Sequence, residues 1–300
     1  MNVEIGVRLV LALVWLLHFL PMPLLAAVGR GFGMLLHALG HERRRIARRN
    51  IELCFPQMPP AEREALVREH FKMLGRSLLE RGLLWHASPA RLKRLVHVEG
   101  DIGLADRIEQ PVMWLGVHFV GLEITGPAVQ LNQQTIGIDV YQRQRSKLFD
   151  ETLKKGRLRL GRVEAYPRSV PIRTLIKRFR DGCAFFNAAD QDFGPKDSAF
   201  VPFFGVPACT LLAPSRMARL VGMVVQPVVV QMLPGGQGYR VVFHEPWTDW
   251  PTEDAEADTR RMNAFIEAEI LKQPAQYLWV HKRFKTRPPG EPDLYAAGPR

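Results

Sequence analysis

Cysteine is scarce. The three present, Cys54, Cys183 and Cys209, are odd in number, far apart and in no CxxC pair. A disulfide framework and a cysteine-rich zinc site are thereby disfavoured, and a reducing compartment is the simpler setting. The string G-x-S-x-G is absent, which disfavours a serine acyl-enzyme. No internal repeat, low-complexity block or Gly/Pro/Ser-rich linker divides the chain. His37 and His41 have no acidic or cysteine partner at ligand spacing, so a metal site is not expected. Gly29, Gly31 and Gly33 follow an apolar segment and not a βαβ strand, so they are not read as a nucleotide loop.

What is present is a chain of 300 residues, 47% hydrophobic and 24% charged. That is enough to bury a sizeable core and excludes a disordered or fibrous protein. Lys+Arg 41 against Asp+Glu 30 gives a net charge of +11, which points to an anionic partner: nucleic acid, lipid headgroups or an acidic carrier protein. The basic residues lack the interleaved aromatics of a single-strand binder, which argues against nucleic acid.

Leu9 to Val28 carries no Asp, Glu, Lys or Arg over 20 residues. As one helix it would be roughly 30 Å long, the thickness of a bilayer's hydrocarbon. His18, Pro21 and Pro23 interrupt it, and a buried core helix is the competing reading. A cleaved signal peptide would carry its basic residues before the apolar run, whereas here Arg30, Arg43, Arg44, Arg45, Arg48 and Arg49 follow it. We expect a membrane anchor over residues 1–30, spanning or half-inserted, and a catalytic domain over 31–300 held in the cytoplasm by those arginines, which would also face anionic headgroups.

After an amphipathic helix predicted over Ala61–Trp85, the pattern becomes α/β. Strands are expected at 112–117, 135–140, 183–188 and 224–232, with a hairpin through Pro234-Gly235-Gly236 into 239–244. Helices are expected at 121–131, 148–158, 171–180, 211–220 and 254–272. The fold class is therefore α/β: a mixed central sheet flanked by helices and preceded by the N-terminal anchoring helix. Cys183 falls in a core strand, where cysteine is usually inert packing.

His118 and Glu123 stand five positions apart, just after the first predicted strand. In one helix the two side chains would point about 140° apart, but they can meet if His118 ends the strand and Glu123 opens the next helix. A carboxylate there is favoured by the helix's positive end, and could orient one imidazole nitrogen and leave the other to take a proton. Such a dyad is a general base without a protein nucleophile, suited to moving an activated acyl group onto an alcohol. As a bare pattern, H-x₄-E is weak.

Longer strings add to it. The block 116–123, the segment Leu153–Arg157, Asp190-Gln191-Asp192-Phe193-Gly194-Pro195, Phe200-Val201-Pro202-Phe203-Phe204-Gly205 and Tyr277–Pro288 together resemble the late lipid A acyltransferases, within the lysophospholipid acyltransferase superfamily. The sequence departs from that pattern at Ala188-Ala189, where the family has a proline before the aspartate. An E-G-T-R-type string is absent, which argues against a glycerophospholipid acceptor.

The resemblance implies transfer of a lauroyl-type chain, with or without a hydroxyl, from acyl-carrier protein to a Kdo-bearing lipid A precursor at the cytoplasmic face of the bacterial inner membrane. The carrier thioester would be a co-substrate, with no cofactor and no metal; the partners would be acyl-carrier protein, the lipid A precursor and inner-membrane lipids. It implies His118 as base, Glu123 as its partner, Arg157 as a substrate contact and Asp190 as an acidic residue that orients Arg157 or meets an acceptor hydroxyl. Arg157 lies in the basic run Lys154, Lys155, Arg157, Arg159, Arg162, where a guanidinium could grip phosphate. Phe200, Phe203 and Phe204 are either an acyl channel or core; Arg283, Lys285 and Arg287 are either a phosphate contact or a polar rim. Another glycolipid acceptor, such as an acylated mannoside, or a membrane-tethered basic binding protein without chemistry, are the alternatives.

Overall fold

Pro21 and Pro23 decide the shape of the N-terminus. Proline removes a backbone donor and crowds the preceding turn, and the long apolar stretch breaks there into two helices, α1 (Val3–Leu17) and α2 (Met22–Leu39). The computed structural model describes residues 3–296. The single helix expected over Leu9–Val28 is thus corrected to a pair, of which Met22–Leu39 is long and apolar enough to cross a membrane. Leu9, Leu13, Leu16, Phe19, Leu35 and Leu39 all stand exposed along this pair. The other side of α2 packs on α4 (Pro60–His86), which α3 (His41–Cys54) precedes.

The α2–α4 contact is made by glycine. A Cβ on Gly75 would lie 2.3 Å from the Gly29 carbonyl oxygen and from the Gly33 nitrogen; one on Gly33 would lie 2.1 Å from the Phe71 carbonyl oxygen. Only glycine lets two helix backbones approach so closely, as in small-x₃-small packing between membrane helices. Immediately after Gly75, Arg76 pairs at 2.8 Å with Glu80 one turn on, both buried. Tyr239 donates to Glu80 and Arg76 donates to the Leu233 carbonyl.

From α5 (Pro89–Leu95) onward the chain alternates: β1 (Val96–Gly100), α6 (Leu104–Arg107), β2 (Val112–Gly116), α7 (Thr125–Asn132), β3 (Gly137–Tyr141), α8 (Lys147–Leu158), β4 (Val163–Pro167), α9 (Ile172–Arg180), β5 (Ala184–Asn187). A separate antiparallel hairpin, β6 (Ser198–Phe203) with β7 (Val206–Leu211), comes next. Then follow α10 (Ala213–Val221), β8 (Val224–Met232), β9 (Tyr239–Phe243) and α11 (Ala255–Lys272).

Seven strands form one sheet in the order β1-β9-β8-β2-β5-β3-β4. Five run parallel, while β9 is antiparallel to β8 and carries β1 with it. The sheet is mixed, as the late hairpin required. Its period-2 alternation sorts side chains to two cores. Met113 and Leu115 of β2 join Phe179, Ala218, Met262 and Ile266 on one face. Val112 and Trp114 join Leu83, Trp85, Val129 and Leu153 on the other. Phe203 is buried among Phe204, Tyr277 and Phe284 beneath the β6–β7 hairpin, so it is core; Cys183 is core likewise.

Candidate active site

The carboxyl ends of the central strands converge on one edge, the usual place for a site in an open α/β sheet. β2 ends at Gly116, and its last turn to the edge presents His118. The loop carrying it is stapled by the C-terminal string: Leu278 donates from its backbone to the His118 carbonyl at 3.0 Å, Val120 to the Gln276 carbonyl at 2.7 Å, and the Gln276 side chain pairs both backbone groups of Met232. Asp190 follows β5, the neighbour of β2.

Asp190 takes the imidazole. His118 Nδ1 lies 2.5 Å from Asp190 Oδ1, and the His118 backbone N–H donates to Oδ2 at 3.1 Å. The Asp190 side chain is fully buried, while that of His118 is 20% exposed. Burial alone would raise the Asp190 pKa; the His118 ring and backbone N–H outweigh it, with Arg283 nearby, and hold the carboxyl below its ordinary value. Among the described residues nothing bonds His118 Nε2, which leaves that nitrogen open to a ligand.

Glu123 is engaged elsewhere. It lies in a single 3₁₀ turn, Leu122–Ile124, just before α7, and forks with Arg157, whose Nε donates to Oε2 at 3.1 Å and whose Nη2 donates to Oε1. Arg157 Nη1 donates to Asp139 of β3 at 2.8 Å. The expected Glu123–His118 hydrogen bond is therefore corrected: the imidazole's carboxylate is Asp190, and Glu123 belongs to an Arg157-centred trio. Asp190 does not orient Arg157. The expected bidentate grip of Arg157 on a phosphate is also revised, since two carboxylates occupy the guanidinium and cancel its charge. Burial disfavours the charge on Arg157 but Glu123 and Asp139 more than offset it, so its pKa is raised. Burial opposes ionisation of Glu123, yet Arg157 brings its pKa below the ordinary value; at Asp139 burial wins and the pKa rises.

Local sequence explains how Arg157 arrives there. Ser146 caps α8 by accepting the Phe149 N–H. One helical position before Arg157, a Cβ on Gly156 would lie 2.5 Å from the Trp85 ring, so glycine lets α8 close onto α4. Asp139 was not singled out in the sequence; its signal was a lone charge inside the apolar strand Gly137-Ile138-Asp139-Val140-Tyr141.

Beside this trio lies a cavity of about 120 Å³, open to solvent at one side. Glu123, Asp139 and Arg157 are its charged residues; Trp85, Trp114, Val129 and Phe186 are among its apolar walls. Phe200, Phe203 and Phe204 do not line it. Other basic residues serve the fold: Arg159 donates to the Leu84 and Ala87 carbonyls, Arg162 to that of Gln134. Lys154, Lys155 and Lys285 are exposed. Arg283 is buried, donating to the Cys209 carbonyl and to Thr210, and Arg287 donates to the Pro207 carbonyl; neither is a phosphate contact in this arrangement. In α3, Arg45 and Arg49 donate to the carbonyls of Tyr295 and Leu294, tying down the C-terminal segment.

Residues 1–286 match the family model described as bacterial lipid A biosynthesis acyltransferase. The chain is 35% identical over 288 residues to a lipid A biosynthesis lauroyltransferase of Escherichia coli (strain K12), covering 95% of this chain and 93% of that one. It is equally 35% identical over 288 residues to a palmitoleoyltransferase of the same strain, covering 95% and 92%, and 31% identical over 279 residues to its myristoyltransferase, covering 91% and 83%. Matched by that family model over residues 1–286 and 31–35% identical to these relatives along nearly its whole length, this chain belongs to the bacterial lipid A biosynthesis acyltransferases.

Proposed function

We propose that the protein transfers a lauroyl-type chain, plain or hydroxylated, directly from acyl-carrier protein to a hydroxyl of a Kdo-bearing lipid A precursor, at the cytoplasmic face of the bacterial inner membrane. The observation that carries this reading is the His118–Asp190 pair: a buried carboxylate on Nδ1 and a free Nε2 at the edge of the sheet. A hydroxyl is barely acidic, so the step needs a base more than a nucleophile. His118 Nε2 takes the hydroxyl proton as the oxygen attacks the thioester carbonyl. The tetrahedral adduct collapses, the C–S bond breaks, and the leaving carrier thiolate takes the proton back from His118. An ester and a free thiol result, and no acyl-enzyme is formed.

Asp190 keeps the imidazole in the right tautomer and stabilises the imidazolium that forms, the task of the aspartate in a Ser-His-Asp triad. A positioned base of this kind contributes about 10²- to 10⁴-fold. Glu123, Arg157 and Asp139 are the charged residues of the otherwise largely apolar cavity, in which the acyl tail would lie. The exposed apolar side of the α1–α2 pair is the membrane-facing surface, and residues 1–30 act as the anchor. Inner-membrane lipids would then supply the acceptor by lateral diffusion.

The test is direct. Membranes containing the protein are mixed with lauroyl-loaded acyl-carrier protein and a Kdo-bearing precursor, and the lipid is weighed by mass spectrometry. The expected product is heavier by one acyl chain and disappears with His118→Ala. An unchanged lipid, or a product that persists in that variant, would overturn the reading.

A further inference from the structure

The lauroyltransferase and the palmitoleoyltransferase of one organism are equally similar to this chain. Overall resemblance therefore carries no information on chain length, which has to reside in local side chains. We infer that Gly137 sets the depth of the cavity beside Arg157, and so selects the length of the transferred acyl chain; this rests on the acyl-transfer reading above.

Gly137 and Asp139 are two apart on β3 and share one face of the sheet. Asp139 holds Arg157 at the charged part of the cavity. Gly137 also lines the cavity, roughly 6.6 Å further from the carboxyl edge that carries His118. In register with Gly137 stand Ala184 on β5 and Val163 on β4, and the Trp114 ring of β2 reaches to the same level. A Cβ placed on Gly137 would lie 3.4 Å from Trp114 Cζ3 and 3.6 Å from Val163 Cγ2, ordinary contact distances. Gly137 sits in a strand with no left-handed backbone angle. Neither sterics nor backbone conformation therefore demands glycine there. What its missing side chain leaves is a notch about one carbon deep, closed by Trp114 and Val163.

A larger side chain at 137 would fill that notch and exclude terminal methylenes. Each buried methylene is worth about 0.8 kcal/mol, or about four-fold in preference, and forcing an overlong chain into a filled cavity costs more.

Purified full-length protein is given an equimolar mixture of decanoyl, lauroyl, myristoyl and palmitoyl carrier-protein donors with one lipid A precursor. Product ratios are read by mass spectrometry. Gly137→Leu is expected to move the optimum to a shorter chain, by about four-fold for each methylene excluded, with turnover of the shortest donor retained. Val163→Ala is expected to move it the other way, and it decides the matter if Gly137→Leu does not fold. Ratios unchanged from wild type in a folded, active Gly137→Leu, or in Val163→Ala where that variant decides, would overturn the inference. A wild-type protein that acylates nothing would instead overturn the reading on which it rests.

Discussion

Replacing Asp190 by asparagine changes one atom and is predicted to stop the reaction. The carboxylate accepts two donors from His118, the ring N–H at 2.5 Å and the backbone N–H at 3.1 Å. An asparagine has one acceptor oxygen and one donor group. If its oxygen faces the ring, its amide opposes the backbone N–H. If its oxygen faces the backbone, its amide forces Nδ1 to accept, which places the proton on Nε2 and blocks the base. Because the Asp190 side chain is fully buried, an unpaired donor or acceptor there costs about 1–3 kcal/mol. The kcat of Asp190→Asn should fall by about 10²- to 10⁴-fold, the worth of a positioned base, with little change in KM. The assay is steady-state transfer, paired with nitrogen NMR of the His118 ring. Wild-type His118 should carry its proton on Nδ1, and Asp190→Asn should disturb that state. Glu123→Gln, which removes a charge from the same sheet edge without touching the ring, should leave it intact. Wild-type kcat in Asp190→Asn, or a tautomer that follows Glu123 and not Asp190, would refute the reasoning.

Gly75→Ala should destabilise the fold by about 1–3 kcal/mol or more, because the new Cβ overlaps the α2 backbone at Gly29 and Gly33; a detergent-phase thermal melt checks this. Arg76→Ala alone should cost about 3–5 kcal/mol by stranding Glu80 in the core. The double variant Arg76→Met with Glu80→Leu should recover most of that in the same melt. The depressed pKa of Asp190 means that its stabilisation is complete above about pH 4, the unfolded value, and is lost as pH falls through the lower folded value. Asp190→Asn should accordingly flatten the dependence of Tm on pH below about pH 4 and leave it unchanged above.

Much of the fold was legible because its signals are local. The apolar run at 112–117 and the β-branched run at 224–232 correspond to β2 and β8, and Pro234-Gly235-Gly236 marks the turn before β9. The half-exposed strands gave weaker patterns: β1 reads Val-His-Val-Glu-Gly and β4 Val-Glu-Ala-Tyr-Pro, and neither was anticipated. The β6–β7 hairpin was hidden by its prolines, Pro202 and Pro207. The pairing of the candidate site residues was not legible: the structure sets His118 against Asp190 and Glu123 against Arg157. Spacing in sequence favours His118 with Glu123, five apart, whereas β2 and β5 are adjacent in the sheet and bring Asp190 to His118 from 72 positions away. Partnership across a parallel sheet is a property of strand order, which local patterns do not encode. The same holds for Asp139, brought to Arg157 by the crossover that ends in α8.

The most direct test of the base assignment is single-turnover transfer by His118→Gln, which keeps a polar side chain of similar reach but cannot take up a proton. The rate of ester formation from a saturating carrier-protein donor should fall by about 10²- to 10⁴-fold while donor binding stays at the wild-type level. A single-turnover rate within a few-fold of wild type, in protein shown to be folded, would contradict it.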